Sequence, residues 1–181
     1  MVRTSWLHSN TSSVVRALLA SQLILASGMI FMTGRVFVDT NILIYALDPA
    51  AAEKRQVSAD LLRQTISSRT LTLSPQSLNE TYRVLVQRRR LMPVDAARAY
   101  IRTLAPWAIA PLDAKTIERA FAVEDETGYS WWDSLMLAAA LQADCRLFVS
   151  EDLQDGRSVA GMRIANPFAA GFARAVKSAR T

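Results

Sequence analysis

The feature that most constrains the fold of this chain is an alternation, beginning at Arg35, of short apolar segments with longer segments of helical periodicity. The short segments, at residues 35–38, 71–73, 146–150 and 162–165, have the length of buried strands. Strands that are separated by helices usually pair in parallel, because each helix carries the chain back across the sheet. The alternation therefore predicts an α/β domain with a central, mostly parallel sheet flanked by helices.

Apolar spacing and capping residues place the helices between these strands. Along residues 52–69, one apolar stripe is formed by Val57, Leu61, Leu62 and Ile66. Residues 131–143 are apolar nearly all round, which predicts a buried helix, and residues 107–110 form a candidate short strand. Proline in a first turn, aspartate at an N-cap and glycine after a last turn mark several helix ends. The predicted helices cover residues 42–47, 52–69, 75–90, 93–104, 114–127 and 131–143.

The first 33 residues differ in character from the rest of the chain. Arg3 and Arg16 precede an apolar run at residues 17–26, and Ser27 and Gly28 follow it, which is the order of a secretory signal. The run is too short and too interrupted by polar residues for a convincing membrane span.

Three interpretations of this segment stay open: an export signal, an additional ordered helix, or a translation start at Met29 or Met32 instead of Met1. We predict an N-terminal extension at residues 1–33, one domain at residues 34–168 and a basic tail at residues 169–181. We expect a cytoplasmic protein without a stable membrane partner, unless the extension directs export.

Two residue types are too scarce for several kinds of enzyme. The chain has one cysteine, Cys145, and one histidine, His8, which lies in the extension. A single cysteine excludes an intrachain disulfide and a zinc ribbon, and a single histidine excludes a nuclease with two catalytic imidazoles. The net charge of +5 slightly favours a polyanionic partner or an acidic lipid surface. Phosphoryl or acyl chemistry would therefore rely on carboxylates and, through them, on a metal ion.

Four acidic residues are candidates for such a site: Asp39, Glu80, Asp133 and Asp152. Asp39 directly follows the first strand, where the ligand crevice of an open α/β sheet lies, but it would equally cap the next helix. Glu80 lies opposite the apolar stripe of its helix, and a solvated glutamate paired with Arg83 would have the same position.

The other two acids also have structural alternatives. Asp133 follows Ser130 with the spacing of a capping box, and the helix dipole favours an acid in a first turn. Because that helix is otherwise buried, a capping acid at its start would still lie near the sheet crevice. Asp152 comes two residues after the strand end at Ser150 and, alone, would be an ordinary loop acid. Each acid alone is a weak indication, whereas the four together indicate a site.

The segment from Val38 to Asp48, Val-Asp-Thr-Asn-Ile-Leu-Ile-Tyr-Ala-Leu-Asp, closely resembles the opening signature of PIN-domain nucleases. Among these it is most similar to the VapC-type toxins of bacterial toxin–antitoxin pairs. The remaining acids follow in family order: Glu80 in Leu-Asn-Glu, Asp133 in Tyr-Ser-Trp-Trp-Asp-Ser and Asp152 in Val-Ser-Glu-Asp-Leu. The resemblance runs from about residue 35 to residue 168 and does not cover the extension.

This resemblance implies a three-layer sandwich with a central parallel sheet, and an endoribonuclease dependent on Mg²⁺ or Mn²⁺. It also implies frequent homodimerisation and inhibition by a cognate antitoxin. Carboxylates hold such hard cations, which activate a water and neutralise a phosphate. We expect Asp39 and Asp133 to be direct metal ligands. Glu80 and Asp152 would complete the ligand set or orient the attacking water.

Further residues are candidates for supporting roles. Asn41 and Ser150 would hold the carboxylates in place. Trp131 and Trp132 could stack on bases, but we expect them to be buried in the core. Four arginines continue the helix that bears Glu80, where they would either contact the RNA backbone or form a solvated helix end: Arg83, Arg88, Arg89 and Arg90.

Three other functions are less consistent with the sequence. An RNA-binding module without cleavage would not need all four acids. An aspartyl-phosphate phosphatase typically has a second aspartate two residues after the nucleophile, where this chain has Asn41. A structure-specific DNA nuclease would need an added DNA-clamping region, and this compact chain has no obvious one.

Overall fold

The computed structural model describes residues 34–172, which contain a five-stranded sheet. Its strands are β1 (Arg35–Val38), β2 (Leu71–Thr72), β3 (Cys145–Val149), β4 (Ser158–Val159) and β5 (Met162–Ala165). Across the sheet their order is β2-β1-β3-β5-β4, and only the edge pair of β4 and β5 is antiparallel. The α/β class and the mostly parallel sheet predicted from the sequence are confirmed.

Six α-helices accompany these strands within the same residues. They are α1 (Thr40–Tyr45), α2 (Ala52–Ser67), α3 (Pro75–Arg83), α4 (Val94–Leu104), α5 (Ala114–Thr127) and α6 (Trp131–Gln142). A π-helical turn, Val84–Arg88, continues α3, and a 3₁₀ turn, Ala105–Trp107, follows α4. As predicted, Asp113 caps α5 at its start and Gly128, with a φ of 70°, ends it.

The helices cover both faces of the sheet, and each face has its own core. Helices α1 to α4 pack over one face, where the buried Tyr100 hydroxyl donates a 3.2 Å hydrogen bond to the Leu43 carbonyl. Helices α5 and α6 pack over the other face, against the stacked rings of Phe37 and Phe148, whose centroids are 4.9 Å apart. The predicted three-layer arrangement is therefore confirmed.

Helix α6 is buried along most of its length, as its composition predicts. Every residue from Ser134 to Leu141 is buried, and the central residues are alanines, which allow α5 to approach closely. Buried packing of this kind fixes the first turn of α6, which bears Asp133.

The parallel pairing brings the ends of β1 and β3 together. Val38 pairs in register with Val149, so the residues that follow them, Asp39 and Ser150, are neighbours at the carboxyl edge of the sheet. In open α/β sheets this edge forms the ligand crevice.

Several local predictions are wrong or shifted. Val57 is 38% exposed, because the small polar residues Ser58 and Thr65 occupy core-facing positions of α2 instead. The Thr65 hydroxyl is satisfied by donating to the Leu61 carbonyl at 2.9 Å, and apolar periodicity does not detect such residues. Residues 107–110 are not a strand, although Leu73 exchanges backbone hydrogen bonds with both ends of that segment.

Other differences concern element boundaries. Helix α1 begins two residues before the predicted start, because Asp39 caps it. The helix predicted over residues 75–90 changes from α to π geometry at Val84. The two-residue strand β4 was not predicted. The predicted extension, residues 1–33, and the tail beyond Phe172 lie outside the described residues. Among residues 34–172, no helix has both the length and the apolar character needed to cross a membrane.

Candidate active site

A cavity of about 510 Å³ at the carboxyl edge of the sheet contains all four predicted acids. They come from separate parts of the chain: Asp39 follows β1, Glu80 lies on α3, Asp133 is in the first turn of α6 and Asp152 is in the loop after β3. This volume is within the usual range for small-ligand pockets.

Asp39 is the most buried of these acids, with 5% of its surface exposed. Its Oδ1 accepts a 2.6 Å hydrogen bond from the Thr40 amide, as an N-cap, and its Oδ2 accepts a 2.6 Å bond from the Ser150 hydroxyl. Asp39 therefore has both of the roles considered from the sequence, since it caps α1 and also lines the cavity.

Burial raises the pKa of Asp39 to about 7. The hydrogen bonds from Ser150 and Thr40 oppose this rise, and the negative charges of Asp152 and Asp133 add to it. Repulsion among these carboxylates favours a bound cation, which would offset it.

Asp152 is held by the two residues predicted to support the carboxylates. Asn41 Nδ2 donates a 3.0 Å hydrogen bond to Asp152 Oδ2. The Ser150 hydroxyl oxygen accepts a 3.1 Å bond from the Asp152 amide. Although Asp152 is exposed, both its backbone and its carboxylate are positioned.

Glu80 is oriented by Thr40, a residue that was not predicted from the sequence to belong to the site. The Thr40 hydroxyl donates to Glu80 Oε2 at 3.3 Å. Over the described part of the chain no ion pair joins Glu80 to Arg83, so the alternative of a surface pair does not apply. The only sequence signal for Thr40 is its place directly after Asp39.

Asp133 is tied to the cap of its own helix. Ser130 is the N-cap of α6; its hydroxyl donates to Asp133 Oδ2 at 2.6 Å and accepts from the Asp133 amide at 3.3 Å. As expected for a capping acid on a buried helix, Asp133 also lines the cavity.

The four candidate arginines differ in position. Arg88 and Arg89 line the cavity, whereas Arg83 and Arg90 are exposed and are not among its lining residues. Arg89 also forms a 2.7 Å ion pair with Asp48, a largely buried carboxylate. Of the four, Arg88 is therefore the one that lines the cavity and forms no ion pair with another residue between 34 and 172.

The expectation that both tryptophans are buried is wrong for Trp132, which is 64% exposed and lines the cavity. Trp131 packs beside the core formed by α5 and α6 and stacks on Phe121, with ring centroids 5.2 Å apart. Neighbours on a helix point about 100° apart, so only one of two adjacent tryptophans can face the same core.

Lys54 connects α2 to the loop that bears Asp152. Its ammonium group pairs with the Glu151 carboxylate and lies 4.8 Å from the ring centre of Tyr45 and 5.3 Å from that of Phe168. Burial tends to raise the pKa of Glu151, but hydrogen bonds from Lys54 and Tyr45 hold it below its usual value. This contact was not predicted from the sequence, because nothing local links the two positions.

The oxygen atoms around the cavity fit a hard divalent cation. Carboxylate and amide oxygens are typical ligands of Mg²⁺, and the buried Asn41 Oδ1 accepts no hydrogen bond from any other described residue. Within residues 34–172 no three acidic, histidine or cysteine side chains are close enough to form a ready ligand group. The acids would therefore have to move closer together to share one ion.

Comparison with known proteins identifies the family of the chain. The family profile of the PIN domain matches residues 36–156, well over half of the chain, and the chain therefore belongs to the PIN-domain family. PIN domains are generally nucleases and typically use divalent metal ions, which indicates a nuclease-type function for this protein. The comparison with curated proteins yields no match.

Proposed function

We propose that this protein is a divalent-metal-dependent endoribonuclease that hydrolyses phosphodiester bonds with Mg²⁺ or Mn²⁺. One observation carries the proposal: acids from four distant segments of the chain line a single cavity. A fold stabilised only by its core gains nothing from such a cluster, because neighbouring carboxylates repel one another.

Each of the four acids would have a defined role in the reaction. Asp39 and Asp133 would hold the metal, and Glu80 and Asp152 would complete its ligands or orient the attacking water. A bound divalent ion neutralises charge on the phosphate and lowers the pKa of water. Hydrogen bonds from other residues keep the acids in position, as those from Thr40, Asn41, Ser130 and Ser150 do here.

The position of Arg88 in the cavity supports the proposal of a nucleic-acid substrate. An arginine beside a carboxylate cluster can bind a backbone phosphate next to the one that reacts. We favour RNA over DNA on the family resemblance.

The test compares the unaltered protein with Asp39→Asn and Asp133→Asn on total cellular RNA, in Mg²⁺ and in EDTA. Asp95→Asn is the matched control, since Asp95 lies on α4, is almost fully exposed and does not line the cavity. We expect discrete cleavage by the unaltered and control proteins with Mg²⁺ alone. Equal cleavage by all four proteins, or cleavage that persists in EDTA, would refute the proposal.

Two further arms of the experiment separate the alternatives. RNA binding by the unaltered protein without cleavage at any Mg²⁺ or Mn²⁺ concentration would favour an RNA-binding module. Faster cleavage of branched or single-stranded DNA than of RNA would favour a structure-specific DNA nuclease.

We also propose, from the resemblance to VapC-type proteins, that the protein is the toxin of a bacterial toxin–antitoxin pair. It would act in the cytoplasm as a homodimer and be inhibited by a cognate antitoxin protein. Expression in a bacterial host should arrest growth, Asp39→Asn should relieve the arrest, and light scattering should give the mass of a dimer. Normal growth at full expression of active enzyme would count against the toxin role.

A further inference from the structure

We propose that Trp132 is a nucleobase-binding residue, on which one base of a single-stranded substrate stacks beside the phosphate that would bind through a divalent ion at the acidic cluster. This inference rests on the proposed ribonuclease function and adds to it a specific contact with a base.

The exposure of Trp132 is the first observation. Trp131 and Phe121 stack on each other beside the core, whereas Trp132 keeps 64% of its surface exposed. Single exposed apolar side chains are common on protein surfaces and by themselves indicate nothing. Trp132, however, lines the same cavity as the four acids.

The chemistry of the cavity gives the second argument. Its acids would hold a metal ion, and carboxylates do not suit the apolar faces of a base, while Arg88 would bind a neighbouring phosphate. An indole ring does, because every nucleobase has a π-face, and each base stacked on an aromatic side chain contributes about 1–3 kcal/mol.

The backbone that bears the ring is well fixed. Trp132 lies in the first turn of α6, between the N-cap Ser130 and the buried residues that begin at Ser134. Its carbonyl accepts a 3.3 Å hydrogen bond from Gln76 Nε2 on α3, the helix that also bears Glu80. With only two side-chain torsions left to order, the ring can accept a base at low entropic cost.

Direct adjacency to Asp133 sets where the base would lie. The residue that holds the base and a residue of the metal cluster are consecutive in the chain, so the stacked base should belong to a nucleotide that flanks the cleaved bond. Stacking alone does not read hydrogen-bonding edges, so the expected preference is for purines over pyrimidines at that nucleotide.

The test measures binding by fluorescence anisotropy in Mg²⁺, with Asp39→Asn as the parent so that the probes are not cleaved. The probes are hexamers of adenosine, of uridine and of an abasic ribose phosphate. Trp132→Ala and Trp132→Phe are compared with Val94→Ala, which removes an exposed apolar side chain outside the cavity. Thermal unfolding of each variant checks that it is folded.

In the parent and in Val94→Ala, we expect the adenosine hexamer to bind roughly 5- to 150-fold more tightly than the abasic one. Trp132→Ala should lose this difference without weaker binding of the abasic probe, and Trp132→Phe should keep part of it. An unchanged difference in Trp132→Ala, or an equal loss for both probes, would overturn the proposal.

Cleavage of RNA by the protein with Asp39 intact is measured alongside, so that the two proposals can fail separately. If that protein cleaves RNA with Mg²⁺ while Trp132→Ala retains the full difference in affinity between the adenosine and abasic probes, base stacking on Trp132 is refuted. The proposed ribonuclease function is then supported. If it neither cleaves nor binds any of the RNA probes, both are refuted.

Discussion

The Ser150 hydroxyl donates a 2.6 Å hydrogen bond to Asp39 Oδ2, and so joins the residue after β3 to the residue after β1. The same hydroxyl oxygen accepts the amide of Asp152. Because β1 and β3 pair in register up to Val38 and Val149, this contact follows from the sheet itself. Two of the four acids are thus positioned through one small side chain.

Ser150→Ala should weaken metal binding by about 10- to 100-fold, as is typical when a group that orients a metal ligand is removed. The variant leaves Asp39 Oδ2 without its donor, and since that bond lowers the pKa of Asp39, the pKa should rise further. Isothermal titration with Mn²⁺ measures the affinity. Ser67→Ala, at an exposed position of α2, is the control, and an unchanged affinity in Ser150→Ala would contradict this role.

The metal-free protein should lose stability as the pH rises from about 4 to about 7. The pKa of Asp39 is about 7 in the folded protein and ordinarily 3.8, so between these values the folded state holds a proton that the unfolded chain releases. This proton contributes about 4 kcal/mol to the free energy of unfolding. The contribution is fully present below pH 4 and is lost by pH 7.

Asp39→Asn provides the matched comparison for that loss, because its side chain does not ionise. Urea unfolding in EDTA between pH 4 and pH 8 should show a smaller decline in the free energy of unfolding for the variant than for the unaltered protein. Mg²⁺ in excess should restore stability to the unaltered protein near pH 7.5. Parallel pH profiles for both proteins, or no stabilisation by Mg²⁺, would be inconsistent with a repulsive metal-binding cluster.

Substitution of three consecutive arginines should have three different effects. Arg88→Gln should weaken RNA binding and reduce the salt dependence by about one phosphate contact. Arg89→Gln should mainly destabilise the fold, because it leaves the buried carboxylate of Asp48 unpaired. Arg90→Gln, outside the cavity, should change neither. Binding titrations at several salt concentrations and thermal unfolding distinguish these outcomes, and equal salt slopes for Arg88→Gln and Arg90→Gln would contradict the assignment.

Lys54→Met should lower the cleavage rate more than it lowers stability. Methionine retains an apolar stem near Tyr45 and Phe168 but cannot pair with Glu151, so the loop that bears Asp152 loses one anchor. The pair is partly exposed, and ion pairs in contact with water contribute little to folding, so the melting temperature should change only slightly. Arg63→Gln, which breaks a more exposed pair on α2, is the control and should leave cleavage unaltered.

Much of the architecture could be predicted because it depends on local patterns. The alternation of apolar strands with helices is sufficient for the parallel sheet, and Asp113 and Gly128 mark the ends of α5 directly. The rotation of each helix about its own axis is less predictable, as the exposed Val57 and Trp132 show. Apolar character alone does not determine which face of a helix meets the core.

The candidate acids could be selected from their order along the chain, but their partners could not. The bond from Thr40 to Glu80 and the ion pair of Lys54 with Glu151 join residues from different elements. Such contacts depend on how the helices pack over the sheet, and this packing cannot be predicted from a short sequence motif.

The positions of the arginines that follow α3 depend on how many residues the π-helical turn at Val84–Arg88 contains, as well as on which residues they are. The Arg89 amide donates to the Val84 carbonyl at 2.9 Å, five residues back, so this turn contains one residue more than an α-helical turn. Deleting one residue here would convert the turn to α-helical geometry and leave the following residues in register, whereas a deletion in a regular α-helix rotates them by about 100° around the axis. This segment should therefore tolerate the loss of one residue better than the regular turns of α3 would.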